Sequence, residues 1–217
     1  MIEIWLEERD SRWYGAALHE HALVATAAAL SRQEVMRAIT GAVPAGAPRQ
    51  FLEVPSDEIL ATVRMLADLE QGKEENKRFE LSPDYVPEPL RSVLSVAASI
   101  PLGYVSTYGS IAAAAHTDAQ TVGQIMASNP LYPVVPCHRV VGAGLSLVGY
   151  GGSRKAPALL AKLERLRKEK RGYREESAVE AGGGSQSNER LKVAPVEWAI
   201  MRAAKDGVTA TRQLDLW

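Results

Sequence analysis

At 217 residues, 46% of them hydrophobic and with a formal net charge of -1, the chain has an ordinary soluble composition and room for one large domain or two small ones. No stretch approaches the roughly 20 apolar residues that span a bilayer, and Met1-Ile2-Glu3-Ile4-Trp5 lacks a signal-peptide pattern. No membrane contact is expected, and the expected location is intracellular: the cytoplasm, or the nucleus in a eukaryote. A single cysteine, Cys137, excludes an internal disulfide and a multi-cysteine zinc site, leaving either a buried small hydrophobe or a reactive thiol.

In chain order, Ile2 to Leu6, Arg12 to Leu18 and Ala22 to Ala27 read as strands of an antiparallel meander. Ser31 with Glu34 has the form of a capping box, and Ser56-Asp57 opens a second periodic run through Ile59, Leu60, Val63, Leu66 and Leu69. The charged stretch Glu70 to Lys77 makes a boundary. Helical periodicity resumes from Pro87 and stops at Pro101-Leu102-Gly103. Two short helices, Ser110 to His116 and about Ala119 to Ser128, meet at the turn Thr117-Asp118 in helix-turn-helix outline. Ala119, Thr121, Gly123 and Ala127 keep one side of the second helix low enough to approach a groove. After Pro136-Cys137-His138-Arg139 comes a glycine-bearing loop through Gly142, Gly144, Gly149, Gly151 and Gly152, then a helix from Ser153 to Lys170 with Pro157 in its first turn. Glu175 to Glu189 has linker composition, and a last helix is expected over about Pro195 to Lys205.

The near-neutral net charge conceals an asymmetry. Residues 1–81 carry a net -5, residues 82–174 a net +6 and residues 175–217 a net -2. A basic middle suits a surface that faces phosphate. The alternative is that Arg165, Arg167, Lys168, Lys170, Arg171 and Arg174 are the solvated face of one helix.

Cys137 and His138 suit nucleophilic chemistry, because the thiolate is the attacking form and an imidazole can accept its proton. Neighbours on an extended strand point to opposite faces, so the pair needs a bend at Pro136 or a bridging water. Glu164, among Leu160, Leu163 and Leu166, is the candidate to orient the imidazole, with Glu169 taken as a solvated charge. His19 and His21, flanking Glu20, are too few to hold a metal, and no metal or cofactor is expected.

The run from Asn129-Pro130 to Pro136-Cys137-His138-Arg139-Val140 resembles the active site of the O6-alkylguanine-DNA alkyltransferases, the methylated-DNA–protein-cysteine methyltransferases. The resemblance is strong over residues 85–172, loose over 1–84 and absent over 175–217. It implies DNA repair by irreversible, single-turnover transfer of a methyl or other alkyl group from O6 of guanine, or O4 of thymine, to Cys137 in flipped-out double-stranded DNA bound through the minor groove. It implies that His138 deprotonates Cys137 through a water, that Glu164 holds His138, that Tyr108 donates a proton to guanine, and that Asn129 ties the helix turn to the active-site segment. Val140 and Gly151 main-chain groups read the base, and Ala119, Gln120, Thr121 and Gly123 approach the DNA. Gln120 stands where the family usually has an arginine, and Tyr132 stands beside the pocket where proline or a small apolar residue is common. Arg139 either contacts substrate DNA or ties the active-site turn to the helix-turn-helix.

The expected fold is α+β: residues 1–81 as a small antiparallel sheet with helices, RNase H-like; 82–174 as a mainly helical, winged-helix-like DNA-binding and active-site domain; 175–192 as a flexible linker; and 193–217 as an extension with one helix. That helix could pack back on the domain, bind a protein partner or mediate self-association, and it could also be a tag or fusion remnant. Gln213-Leu214-Asp215-Leu216-Trp217 partly resembles a sliding-clamp-binding peptide. Three other functions compete: a lesion-recognition protein, against which Cys137 speaks; a cysteine hydrolase, which would need an oxyanion hole; and a regulator with a redox-sensing thiol.

Overall fold

The computed structural model describes residues 1–73, 79–169 and 191–208. It is a mixed α+β structure with a four-stranded and a three-stranded sheet. Its contacts divide it into Met1–Ser92 with Asn129–Val135, and Val93–Ser128 with the described residues from Pro136 onward. Among the described residues no helix is long and apolar enough to cross a membrane. The proposed clamp-like peptide, Lys170, Arg171, Arg174 and most of the expected linker lie outside the described residues.

The first unit is built on β1 (Ile2–Arg9), β2 (Arg12–His19) and β3 (Ala22–Ala29), an antiparallel meander. Asp10-Ser11 and Glu20-His21 are two-residue turns with all four φ angles positive, the geometry that matches strand twist. Pairing therefore runs on to Arg9 opposite Arg12, and the strands outlast the apolar runs that mark them in the sequence. β4 (Arg49–Phe51) adds in parallel to β1, giving the order β3-β2-β1-β4.

Helix α1 (Arg32–Ala42) starts at the expected capping box: the Ser31 hydroxyl accepts from Glu34 N at 3.3 Å, and Ser31 N donates to the Glu34 carboxylate at 3.2 Å. Its Val35 and Ile39 pack on Ile2, Ile4, Ala17 and Val24. Helix α2 (Asp57–Glu70) begins at Ser56, whose hydroxyl accepts from Ile59 N. Residues Tyr14 to Leu18 of β2 are all buried, so the strand lacks polar alternation. Gly15 permits the contact with α1: a Cβ there would lie 2.6 Å from Val35 Cγ1 and 3.1 Å from Ile39 Cγ1.

The sequence boundary after residue 81 is not where the units part. Leu23 N donates to Glu80 O and Ser82 N to Leu23 O, holding that stretch on β3. The segment Asn129–Val135 also returns to the first unit, where Thr26 N donates to Pro130 O at 2.9 Å.

In the second unit, α3 (Leu90–Ala98) leads to β5 (Tyr104–Thr107), which pairs in parallel with β6 (Val140–Val141) and antiparallel with β7 (Ala194–Pro195). Helices α4 (Tyr108–Ala114), α5 (Ala119–Ala127), α6 (Ala156–Lys168) and α7 (Val196–Lys205) complete it. Val196, Ala199 and Ala203 of α7 share one core with Val105, Val141, Leu163 and Leu166. Val196 N donates to Gly103 O at 3.0 Å, and the Ser106 hydroxyl donates to Lys192 O at 2.7 Å. Of the readings open for the last helix, the structure shows packing back on the domain. The expected linker must end before Leu191, which is itself buried.

Two substitutions check these packings. Gly15→Val should lower unfolding free energy by about 1–3 kcal/mol through overpacking against Val35. Val196→Ala should lower it by about 1–3 kcal/mol if α7 closes the second core. Denaturant titration reads both, and an unchanged midpoint for Val196→Ala would mean that α7 only rests on the surface.

Candidate active site

The first wall of the site is α5. The Thr107 hydroxyl caps α4 by accepting from Ser110 N at 3.1 Å, and His116, with φ at 52°, turns the chain toward Asp118. One Asp118 oxygen accepts from Gln120 N and Thr121 N, both at 2.9 Å, and the other from the Thr121 hydroxyl at 2.6 Å. Val122 and Met126 are buried, which leaves Gln120, Gly123, Gln124 and Ala127 along one stripe at helical spacing. That stripe faces a cleft of about 630 Å³, whose other lining includes Ala119, Tyr108, Cys137 and the loop from Val148 to Arg154.

Pro136 bends the chain so that Cys137–Arg139 form one turn of 3-10 helix, with Arg139 N donating to Pro136 O at 2.8 Å. Successive side chains on such a turn splay by a third of a revolution rather than a half. Cys137, 8% exposed and the chain's single cysteine, reaches the cleft, while His138 and Arg139 are buried.

Both buried residues end on Glu169. His138 Nε2 lies 2.6 Å from Glu169 Oε1, Arg139 Nε donates to Oε2 at 2.9 Å, and Arg139 Nη2 donates to Oε1 at 3.0 Å. Arg139 Nη1 donates to Ile100 O at 2.7 Å. Burial lowers the His138 pKa and outweighs the opposing pull of Glu169, so the imidazole is neutral at neutral pH. Burial alone would raise the Glu169 carboxyl, but the hydrogen bond with His138 and the guanidinium of Arg139 bring it down to about 2. His138 Nδ1 is buried and has no hydrogen-bond partner among the described residues.

The carboxylate on the imidazole is thus Glu169, not Glu164, which is exposed. Helical geometry gives the reason: at 100° per residue, Glu169 falls on the same side of α6 as Lys162 and Leu166, whereas Glu164 falls opposite them. The structure places Arg139 as a buried residue that donates to Glu169 and to Ile100 O.

The second wall is the glycine loop. Tyr150 N and Ser153 O, and Ser153 N and Tyr150 O, pair across Gly151 and Gly152, whose φ angles of +53° and +74° suit a residue without a side chain. Beneath it lies Lys162 of α6, fully buried, with Nζ donating to Val140 O at 2.5 Å and to Gly149 O at 2.9 Å. Burial lowers this ammonium to about 8 against an opposing contribution from Cys137. Across the cleft, burial and then the charge at Cys137 raise the Tyr108 phenol above its ordinary value, while Arg154 lowers it.

The structure therefore brings Tyr108, Ala119, Gln120, Gly123, Cys137 and Gly151 to one cleft, with His138 and Val140 directly behind it. Thr121 is spent on the Asp118 cap. Asn129 braces its own segment, donating from Nδ2 to Val135 O at 2.8 Å and accepting from Leu131 N at 3.0 Å. Tyr132 belongs to the first unit, where its hydroxyl donates to Glu70. Sequence reasoning missed Lys162, Glu169 and Arg154. The spacing of Lys162, Leu166 and Glu169 on one helical face was the signal for the first two.

Residues 89–171 match the family described as the DNA-binding domain of 6-O-methylguanine DNA methyltransferase. A methylated-DNA–protein-cysteine methyltransferase of Methanocaldococcus jannaschii is 30% identical over 160 residues, covering 72% of this chain and 90% of that protein. The crystal structure of the O6-methylguanine-DNA methyltransferase of Pyrococcus kodakaraensis superposes with a TM-score of 0.53 at 25% identity, covering 78% of this chain and 99% of that one. The Mycobacterium tuberculosis OGT, solved in complex with DNA, shares the fold with a TM-score of 0.55 at 22% identity, over 77% of this chain and 92% of that one. By the extent of the M. jannaschii match and by the placement of the cysteine turn, the chain belongs to the family of methylated-DNA–protein-cysteine methyltransferases.

Proposed function

We propose that this chain repairs alkylated DNA by moving a methyl or other alkyl group from O6 of guanine to Cys137, once per protein molecule. The observation that carries the reading is Cys137 at the wall of a cleft between a small-residue helix and a glycine loop, with a neutral His138 held by Glu169 directly behind it.

An alkyl group on guanine O6 lies inside the duplex, so the nucleotide must leave the stack before a thiolate can reach it. In this reading the winged-helix-like second unit presents α5 to the minor groove of double-stranded DNA, and the RNase H-like first unit is a scaffold. Ala119, Gly123 and Ala127 keep the helix surface low, and Gln120 occupies the space left by the flipped base. Contacts to phosphate and sugar position the protein without reading sequence, as lesion repair requires.

The proton path follows from the tautomer. With Nε2–H donated to Glu169, the Nδ1 lone pair is the base that accepts the Cys137 proton, directly or through a water. The sulfur electron pair forms the new S–C bond, and the O6–C bond breaks with its pair left on guanine. Tyr108 donates its proton to the departing base, and the proton held on His138 returns through solvent to the phenolate. Burial keeps Tyr108 protonated until guanine leaves, so it acts as a general acid. The Val140 carbonyl has a second lone pair beyond the one taken by Lys162 and reads the guanine amino group, while Gly151 N–H meets O6. The product is a neutral thioether, and nothing in the site can remove it.

Incubation with a duplex containing O6-methylguanine tests this. One methyl should be added to the intact mass and none in Cys137→Ala; tight binding with unchanged mass would indicate recognition alone, and many turnovers of an acyl substrate would indicate a hydrolase. Glu169→Gln should slow transfer by more than about 10-fold while DNA affinity changes little, since it removes the orienting carboxylate from the base. Parallel losses in rate and affinity would make Glu169 a purely structural residue.

The same carboxylate governs acid stability. Its folded pKa is depressed from 4.5 to about 2, so its contribution is present above about pH 4.5 and is lost as pH falls toward about 2. Urea titrations at stepped pH should show wild-type stability falling through that window and Glu169→Gln lacking that part of the fall.

A further inference from the structure

We propose that Lys162 is a positioning residue: its buried ammonium clamps the Val140 and Gly149 carbonyls, joining the cysteine turn to the glycine loop. The inference rests on the reading of Cys137 as alkyl acceptor.

Lysine is seldom fully buried without a charged partner. Lys162 is 0% exposed, and its hydrogen-bond partners are the two carbonyls, at 2.5 and 2.9 Å, with no carboxylate among them. Those carbonyls belong to the two segments that must keep a fixed separation. Val140 closes the turn that carries Cys137, its N–H donating to Cys137 O, and Gly149 opens the loop that carries Gly151. A clamp between them fixes the width of the cleft at the reacting sulfur.

Titratable and charged groups reach this region from each element beside it: Cys137, His138 and Arg139 from the cysteine turn, Arg139 being paired with Glu169; Tyr108 from α4; and Arg154 at the end of the glycine loop. The two bonds are charge-assisted while Lys162 is an ammonium, and they weaken when it gives up its proton, which loosens the clamp.

The experiment is a single-turnover pH series of methyl transfer from an O6-methylguanine duplex, read by intact mass. Wild type should lose rate above about pH 8, where Lys162 gives up its proton. Lys162→Met should be slower by about 100-fold at neutral pH, as expected for a displaced reacting group, and should lack that alkaline limb. Lys162→Arg should recover part of the rate and move the limb upward. A Lys162→Met protein with the wild-type limb, whatever its rate, overturns the proposal, as does one with wild-type rate.

Should the variants fail to fold, NMR titration of the Lys162 side chain in the wild-type protein decides the matter: its midpoint should lie at about 8, and the midpoint of an ordinary exposed lysine overturns the buried clamp. If wild type gains no methyl at all, it is the alkyl-transfer reading that fails. If wild type is methylated and Lys162→Met behaves identically, only this inference fails.

Discussion

One carboxylate organises the site. Glu169, at the end of α6, accepts from two consecutive residues of the cysteine turn, His138 and Arg139, within 3.0 Å. A single 3-10 turn has few internal hydrogen bonds of its own to hold it. Glu169 and the Ile100 carbonyl supply the missing constraint, and once the two following side chains are pinned inward Cys137 has one direction left, toward the cleft. Removing one partner of a buried ion pair is costly, whereas the intact pair adds little net stability over an apolar replacement. Its return is geometric.

That constraint also fixes the electrostatics. A buried imidazole beside a lone carboxylate would tend to charge, which would remove its capacity to accept a proton. Arg139 prevents this by supplying the permanent counter-charge, so burial keeps His138 neutral. The arrangement runs guanidinium, carboxylate, imidazole, with the free ring nitrogen as the functional end. Lys162 lies two turns before Glu169 on the same face of α6 and secures the neighbouring backbone, so the helix and its C-cap furnish both supports of the cleft from two positions seven residues apart.

Much of this was legible in the chain. Capping residues Ser31, Ser56 and Asp118 marked helix starts because each carries its own local hydrogen bond. The meander was visible as apolar runs, and the run around Cys137 identified the chemistry. What escaped were features set by distant partners. β4, β5, β6 and β7 are two to four residues long and exist through pairing, which no local pattern encodes. Glu164 sits among leucines in the sequence and so looks buried, yet the leucine face turns it outward. Glu169 and Lys162 look like members of a solvated charge run until the helical phase is followed to the end of α6. Arg139 carries two readings in the sequence, and its partners Glu169 and Ile100 O are set by the tertiary fold. The extension helix likewise carried apolar residues without an address, until Val196, Ala199 and Ala203 met the second core.

The protonation state of His138 tests the account most directly. Nitrogen NMR of the ring in the unreacted protein should show a neutral imidazole at pH 7, protonated on Nε2 toward Glu169 and unprotonated on Nδ1. A cationic ring at that pH, or a proton resident on Nδ1, would contradict the account, because Cys137 would then lack the base that the fold is arranged to provide.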